Sequence, residues 1–218
     1  MTTRIALIHA TPVAVDPIHA AFARGWPQAA PIDIMDYSLA PDRAASDTLT
    51  PAIAQRIGAL ARYGASTGAR AVLFTCSAFG SAIEAAAEAS PVPVLKPNEA
   101  MFQAAIRAGG RVAMIYTFPP AAASMEAEFR AEAARLNPGA SLTPIPAPGA
   151  IEAIRAGDIA THNRLVAEAA QGLTGFDAIT LAHFSTANAL DAVQAVTETP
   201  VFASPPAAVA KLKAMLDE

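Results

Sequence analysis

The sequence predicts an α/β protein built as two pseudo-symmetric lobes, each a parallel sheet flanked by helices. Three observations carry this. Short apolar runs alternate with longer stretches of helical spacing, the pattern of parallel strands joined by crossover helices. The order of segments then repeats once, with Ile8 matched to Ile115, Pro12 to Pro119, Ala71 to Ala178 and Cys76 to His183, each pair 107 residues apart. Finally, 53% hydrophobic and 16% charged residues in a chain of 218 supply a sizeable core without staples. Four landmarks in one register point to a duplicated half and not to a solenoid.

The elements follow in order. Ile5 to Ile8 is an apolar run that stops at His9-Ala10-Thr11-Pro12, as a buried parallel strand does. Asp16-Pro17 signals the start of a helix through about Arg24. Ile32 to Met35 is the second strand; Thr50-Pro51 starts a helix that carries Ile53, Ile57, Leu60 and Ala61 at helical spacing. Ala71 to Thr75 is a strand ending in Cys76-Ser77, and helix 78–89 and strand Val92 to Leu95 complete the half. Asn98-Glu99 opens a helix, with Met101 and Phe102 in its core face, that closes at Gly109-Gly110.

The second half then runs through strand Arg111 to Tyr116, a long helix from Pro119 and a weaker strand from Ser141 to Ile145. Asp158 caps a helix to about Gln171. Ala178 to Ala182 is a strand, Ser185 to Val196 a helix, Pro200 to Ala203 the last strand, and a helix begins at about Pro206. The expected lobes are 1–97 with 206–218, and 98–205.

Composition excludes several classes. A net charge of −4 with scattered Lys and Arg gives no footprint for nucleic acid. No apolar stretch is long enough to span a bilayer, and the run near the N-terminus is broken too early for a signal peptide. One cysteine gives no sign of an oxidising compartment, so a cytoplasmic location is expected. That cysteine is also too isolated for a zinc site, and no glycine-rich phosphate loop follows the first strand, so neither metal nor cofactor is expected. Closed dimers are the commonest assembly of such proteins, and a homo-oligomer is expected.

Ligands of parallel sheets sit beyond the carboxyl ends of the strands. The residues there are His9, Thr11, Thr75, Cys76 and Ser77 in the first half, and Tyr116, Thr117, His183, Phe184 and Ser185 in the second. Hydroxyls and helix N-termini suit a small carboxylate. A thiol at a helix N-terminus can titrate in the range of about 3.5–7.5, and histidine moves protons near neutrality. Cys76 and His183 on opposite faces of one carbon would invert a stereocentre, with the remaining residues binding substrate. His19 and His162 fall on helix faces expected to be at the surface.

Thr75-Cys76-Ser77-Ala78-Phe79-Gly80, the run Asn98-Glu99-Ala100-Met101 leading to Gly110-Arg111-Val112-Ala113-Met114, and Leu181-Ala182-His183 resemble the aspartate/glutamate/hydantoin racemase superfamily over nearly the whole chain. The resemblance implies two flavodoxin-like lobes, a C-terminal helix packed back on the first lobe, and catalysis without pyridoxal phosphate or metal. Its activities include amino-acid and hydantoin racemases, arylmalonate decarboxylases and maleate cis–trans isomerases. Racemases of the family carry a cysteine at the equivalent strand end of each half. Cys76 matches the first, and His183 stands where the second would be.

The leading expectation is a cofactor-independent racemase or isomerase acting at the α-carbon of a small carboxylate or cyclic amide. A single-cysteine decarboxylase of a substituted malonate, or a maleate-type isomerase, is the alternative. A small-carboxylate-binding protein without turnover is the third.

Overall fold

The computed structural model describes residues 2–46 and 48–216. The chain forms two compact units, residues 1–97 with 208–218, and residues 98–207.

In the first unit, β1 (Arg4–His9) leads through a 3₁₀ turn (Pro12–Ala14) into α1 (Val15–Gly25). β2 (Ala30–Met35), α2 (Leu39–Ala44), α3 (Pro51–Ser66) and β3 (Ala71–Phe74) follow. A second 3₁₀ turn (Ser77–Phe79), α4 (Gly80–Glu88) and β4 (Val94–Leu95) complete the run. The sheet is parallel, in the order β2-β1-β3-β4. Ala6, Ile8, Val72 and Phe74 share one face and pack with Ile53, Ile57 and Ala61 of α3 and Ala82, Ile83 and Ala86 of α4.

The second unit repeats this plan. It contains α5 (Glu99–Ala108), β5 (Arg111–Tyr116), a 3₁₀ turn (Pro119–Ala121) and α6 (Ala122–Leu136). β6 (Ser141–Pro146), α7 (Ala150–Arg155), α8 (Ile159–Ala170) and β7 (Ala178–Leu181) come next. A 3₁₀ turn (Ser185–Ala189), α9 (Leu190–Gln194), β8 (Val201–Ala203) and α10 (Ser204–Met215) end the chain, with α10 contributing to the first unit from Ala208 on. The sheet order is β6-β5-β7-β8, again parallel. Val112 and Met114 face α5 and α6 through Met101, Phe102, Met125 and Phe129. Ala113 and Ile115 face α8 through Val166, Ala167 and Ala170. Both faces of the central strands are therefore covered, which is why they read as unbroken apolar runs.

The duplication extends to turn geometry. Gly68 and Gly175, also 107 apart, precede β3 and β7 with φ of +80° and +78°. This left-handed conformation favours glycine. The following Arg70 and Asp177 amides donate to the carbonyls of Arg4 and Arg111, themselves a matched pair.

Caps separate correct from incorrect starts. Thr50 Oγ1 accepts from Ile53 N and Asp158 Oδ1 from Thr161 N, as the sequence predicts. Asp16 does not cap α1. The 3₁₀ turn sets the chain into helical geometry earlier, placing Asp16 inside the first turn after Ala14. The helix-start signals at 78 and 185 are likewise displaced by 3₁₀ turns, and α2 and α7 are short helices that no capping pattern announces.

Gly109 ends α5 in extended backbone, where φ does not demand glycine. Space does, because a Cβ there would lie 2.2 Å from Asp177 Cβ. Asp177 cannot retreat easily: its carboxylate accepts from Arg111 N at 2.8 Å and from the Arg111 guanidinium at 3.0 Å. We predict that Gly109→Ala destabilises by about 1–3 kcal/mol in chemical denaturation. Gly110→Ala, with nothing nearer than 3.8 Å, should stay within about 0.5 kcal/mol.

Candidate active site

In the first unit, four polar side chains form a row across one sheet face. Thr75 Oγ1 lies 2.9 Å from His9 Nδ1, His9 Nε2 2.9 Å from Asp33 Oδ1, and His19 Nε2 2.8 Å from Asp33 Oδ2. Leu7 pairs with Asp33 in the β1/β2 register, so His9 and Asp33 are diagonal neighbours on one face. A carboxylate only accepts, so Nε2 carries the proton toward Asp33, and a neutral His9 then accepts the Thr75 hydroxyl at Nδ1. Burial holds His9 below the ordinary imidazole range, against the opposing pull of Asp33. The hydrogen bonds of His9 and Thr75 are thus made within the unit. Sequence spacing points to neither Asp33 nor His19 as part of this row, since Asp33 sits mid-strand and His19 lies on a helix face expected at the surface.

Cys76 follows directly. It is half-buried, in extended backbone, at the cap position of the Ser77–Phe79 turn, and packs against the core of its unit. Burial pushes its thiol above the ordinary value of 9.0, outweighing the backbone hydrogen bond of Ala78, which acts the other way. This corrects the expectation of a lowered thiol. A three-residue 3₁₀ turn intervenes between the sulfur and α4, so no α-helical N-terminus faces it. Thr11 and Ser77 are half-buried at the same sheet edge. Lys96, just past β4, is buried with its Nζ 2.7 Å from Glu84 Oε1, a cation that no sequence pattern marks.

In the second unit, Tyr116 ends β5 half-buried and Thr117 is buried. His183 lies two residues past β7 and is the one non-glycine residue with positive φ (+72°) among those described. Such a conformation costs of order 1–2 kcal/mol and is commonest at functional positions. Its Nε2 is sealed from solvent without a hydrogen-bond partner, and desolvation takes its pKa down to about 4. Phe184 and Ser185 behind it are enclosed. Thr117 Oγ1, Thr186 Oγ1 and Asn98 Nδ2 are also buried without partners, all at the carboxyl edge of this sheet. Asn98 Oδ1 accepts from Ser204 Oγ at 2.7 Å. No sequence pattern singles out Asn98 or Thr186, because an Asn before a helix ordinarily reads as a cap.

His162 is not a surface residue. It is fully buried in α8, with Nδ1 2.9 Å from Asn163 Oδ1. Met101 and Phe102 are fully buried, as helical spacing predicts. Among the described residues, no group of three or more His, Cys, Asp or Glu could hold a metal ion, and no helix is long and apolar enough to cross a membrane.

Two expected outcomes follow from the burial of these groups. The rate of Cys76 alkylation by iodoacetamide should rise with pH to a midpoint above 9.0, and a midpoint below about 7.5 would contradict the burial. His9, His162 and His183 are all held neutral by burial. Unfolding therefore takes up protons below the ordinary value of 6.5, and stability present above that pH declines as the pH falls toward 4. In His183→Gln, that acid decline should be shallower by about 1.4 kcal/mol per pH unit, measured by denaturation at stepped pH.

Residues 8–121, just over half of the chain, match the sequence profile of the family described as Asp/Glu/Hydantoin racemase. No curated protein sequence matches. Among solved structures, glutamate racemase from Bacillus anthracis is similar with a TM-score of 0.74 at 15% identity, covering 99% of this chain and 82% of that one. Allantoin racemase from Pseudomonas fluorescens gives 0.72 at 16%, covering 99% and 91%. A doubly substituted arylmalonate decarboxylase, with glycine changed to cysteine and cysteine to serine, gives 0.67 at 22%, covering 97% and 92%.

Proposed function

Because the chain belongs to the Asp/Glu/hydantoin racemase family, we propose that it is a racemase or isomerase that moves a proton at the α-carbon of a small carboxylate, using Cys76 and His183. The observation that carries this reading is the burial of both groups, which acts on the two in opposite directions. Burial keeps the Cys76 thiol protonated and the His183 imidazole neutral at the same pH. Two-base exchange needs one acid and one base ready together.

In this mechanism the neutral His183 imidazole takes the α-proton. The electron pair moves into the carboxylate, giving an enediolate, and the Cys76 S–H delivers a proton to the opposite face of the carbon. The products are imidazolium and thiolate. Burial disfavours both charges, so proton return through solvent restores the resting pair. Thr11, Ser77, Tyr116, Thr117 and Ser185, with nearby backbone N–H groups, stabilise the developing oxyanions. His9 and Thr75 hold each other, and through that bond the strand end that carries Cys76. Phe184, next in sequence to His183, is buried.

The same raised thiol favours a second reading. A lone acid that protonates one face after decarboxylation of a substituted malonate needs Cys76 alone, and similarity to arylmalonate decarboxylase agrees with it.

Candidate chiral substrates, amino acids and other small carboxylic acids first and a 5-substituted hydantoin and allantoin as cyclic amides, incubated in deuterated water should take up label at the α-carbon. Cys76→Ser and His183→Ala should each slow uptake by roughly 10²–10⁴-fold. The wild-type rate should hold level from just above pH 4 to beyond 9.0. No label entry with any acid tested would sink the proton-transfer reading. Decarboxylation that survives His183→Ala would establish the second.

A further inference from the structure

Asn98 precedes α5 yet does not cap it. Asparagine is favoured at such positions because its side-chain oxygen accepts a backbone N–H. Here that oxygen is taken by the Ser204 hydroxyl at 2.7 Å, which leaves the two N–H groups of Nδ2 as donors. Asn98 and Ser204 are both 0% exposed, and Nδ2 has no partner. A buried donor without an acceptor carries a desolvation penalty that folds avoid unless something supplies the acceptor.

The environment narrows what that is. Thr117 is one residue past β5, His183 two past β7, and Ser204 directly after β8. These strands are neighbours in the order β5-β7-β8, so the edge from Thr117 to Ser204 spans about 10 Å. Thr117 Oγ1 and His183 Nε2 are unpartnered as well. An amide nitrogen can only donate, so its missing partner is an acceptor atom. Glu99, the nearest carboxylate in sequence, accepts from Gln103 one turn along the helix at 3.3 Å.

We propose that Asn98 is a substrate-binding residue, whose Nδ2 donates to a carboxylate oxygen of a small organic acid, and that Ser204 is a positioning residue that holds the amide oxygen and so presents the nitrogen. This rests on the reading of the chain as acting on small carboxylates and adds the group that recognises them.

Malonate serves as the probe, titrated by thermal shift against sodium chloride at matched ionic strength. Asn98→Asp keeps an oxygen for Ser204 but loses the donor and adds repulsion, so it should lose malonate binding, with its fold checked by circular dichroism. Asn98→Ala should weaken malonate by about 10-fold or more, the value of one buried hydrogen bond to a charged group, and Ser204→Ala should weaken it less. Wild-type affinity in Asn98→Asp, or no malonate binding by the wild type, overturns the assignment. Malonate binding that depends on Asn98 in a protein showing no α-carbon exchange would leave this assignment standing while the proton-transfer reading fell. Exchange with unchanged KM in Asn98→Asp would remove this assignment alone.

Discussion

A parallel strand covered on both faces can offer chemistry only past its carboxyl end, where the ladder stops and helices have not yet begun. β3 and β7 are such strands, and the candidate groups Cys76 and His183 take their surroundings from how the chain leaves them. At both exits it passes through a 3₁₀ turn before the helix, so side chains are withdrawn from water without receiving an α-helix N-terminus in exchange. Desolvation then sets the charge states, since little opposes it. It pushes the Cys76 thiol up and the His183 imidazole down. The two shifts have one cause and opposite signs because one group becomes charged on losing a proton and the other on gaining it.

The same constraint separates the two halves in character. The first-unit edge is internally satisfied: Thr75, His9, Asp33 and His19 bond to one another in a row. The second-unit edge is not, with Asn98, Thr117, His183 and Thr186 each keeping a buried polar atom unpaired. A satisfied network rigidifies and an unsatisfied one waits for a partner. The duplicated scaffold thus carries a hydrogen-bonded end and an end with unpaired polar atoms, and the positive φ of His183 belongs to the second.

Much of this is legible in the sequence, for identifiable reasons. Strand runs buried on two faces leave continuous apolar segments, and the 107-residue offset survives because register between β1 and β3, and between β5 and β7, is set by packing. Cys76 and His183 can be nominated because a strand end is a topological address. Three things are not legible. The 3₁₀ turns use no sequence signal distinct from a helix start, so the sequence predicts the wrong sign for the Cys76 shift. Asp33 reaches His9 across strands, a relation that linear spacing does not encode. Asn98 resembles a cap until Ser204, 106 residues away, is seen to hold its oxygen.

The resting charge of the two strand-end groups is the central claim, and the pH titration of the His183 imidazole by nuclear magnetic resonance, in wild type and in Cys76→Ser, addresses it most directly. A neutral pair gives a midpoint near 4 that stays in place when the thiol is removed. A midpoint at or above the ordinary 6.5 that drops in Cys76→Ser would mean a standing imidazolium–thiolate pair, and would contradict the account.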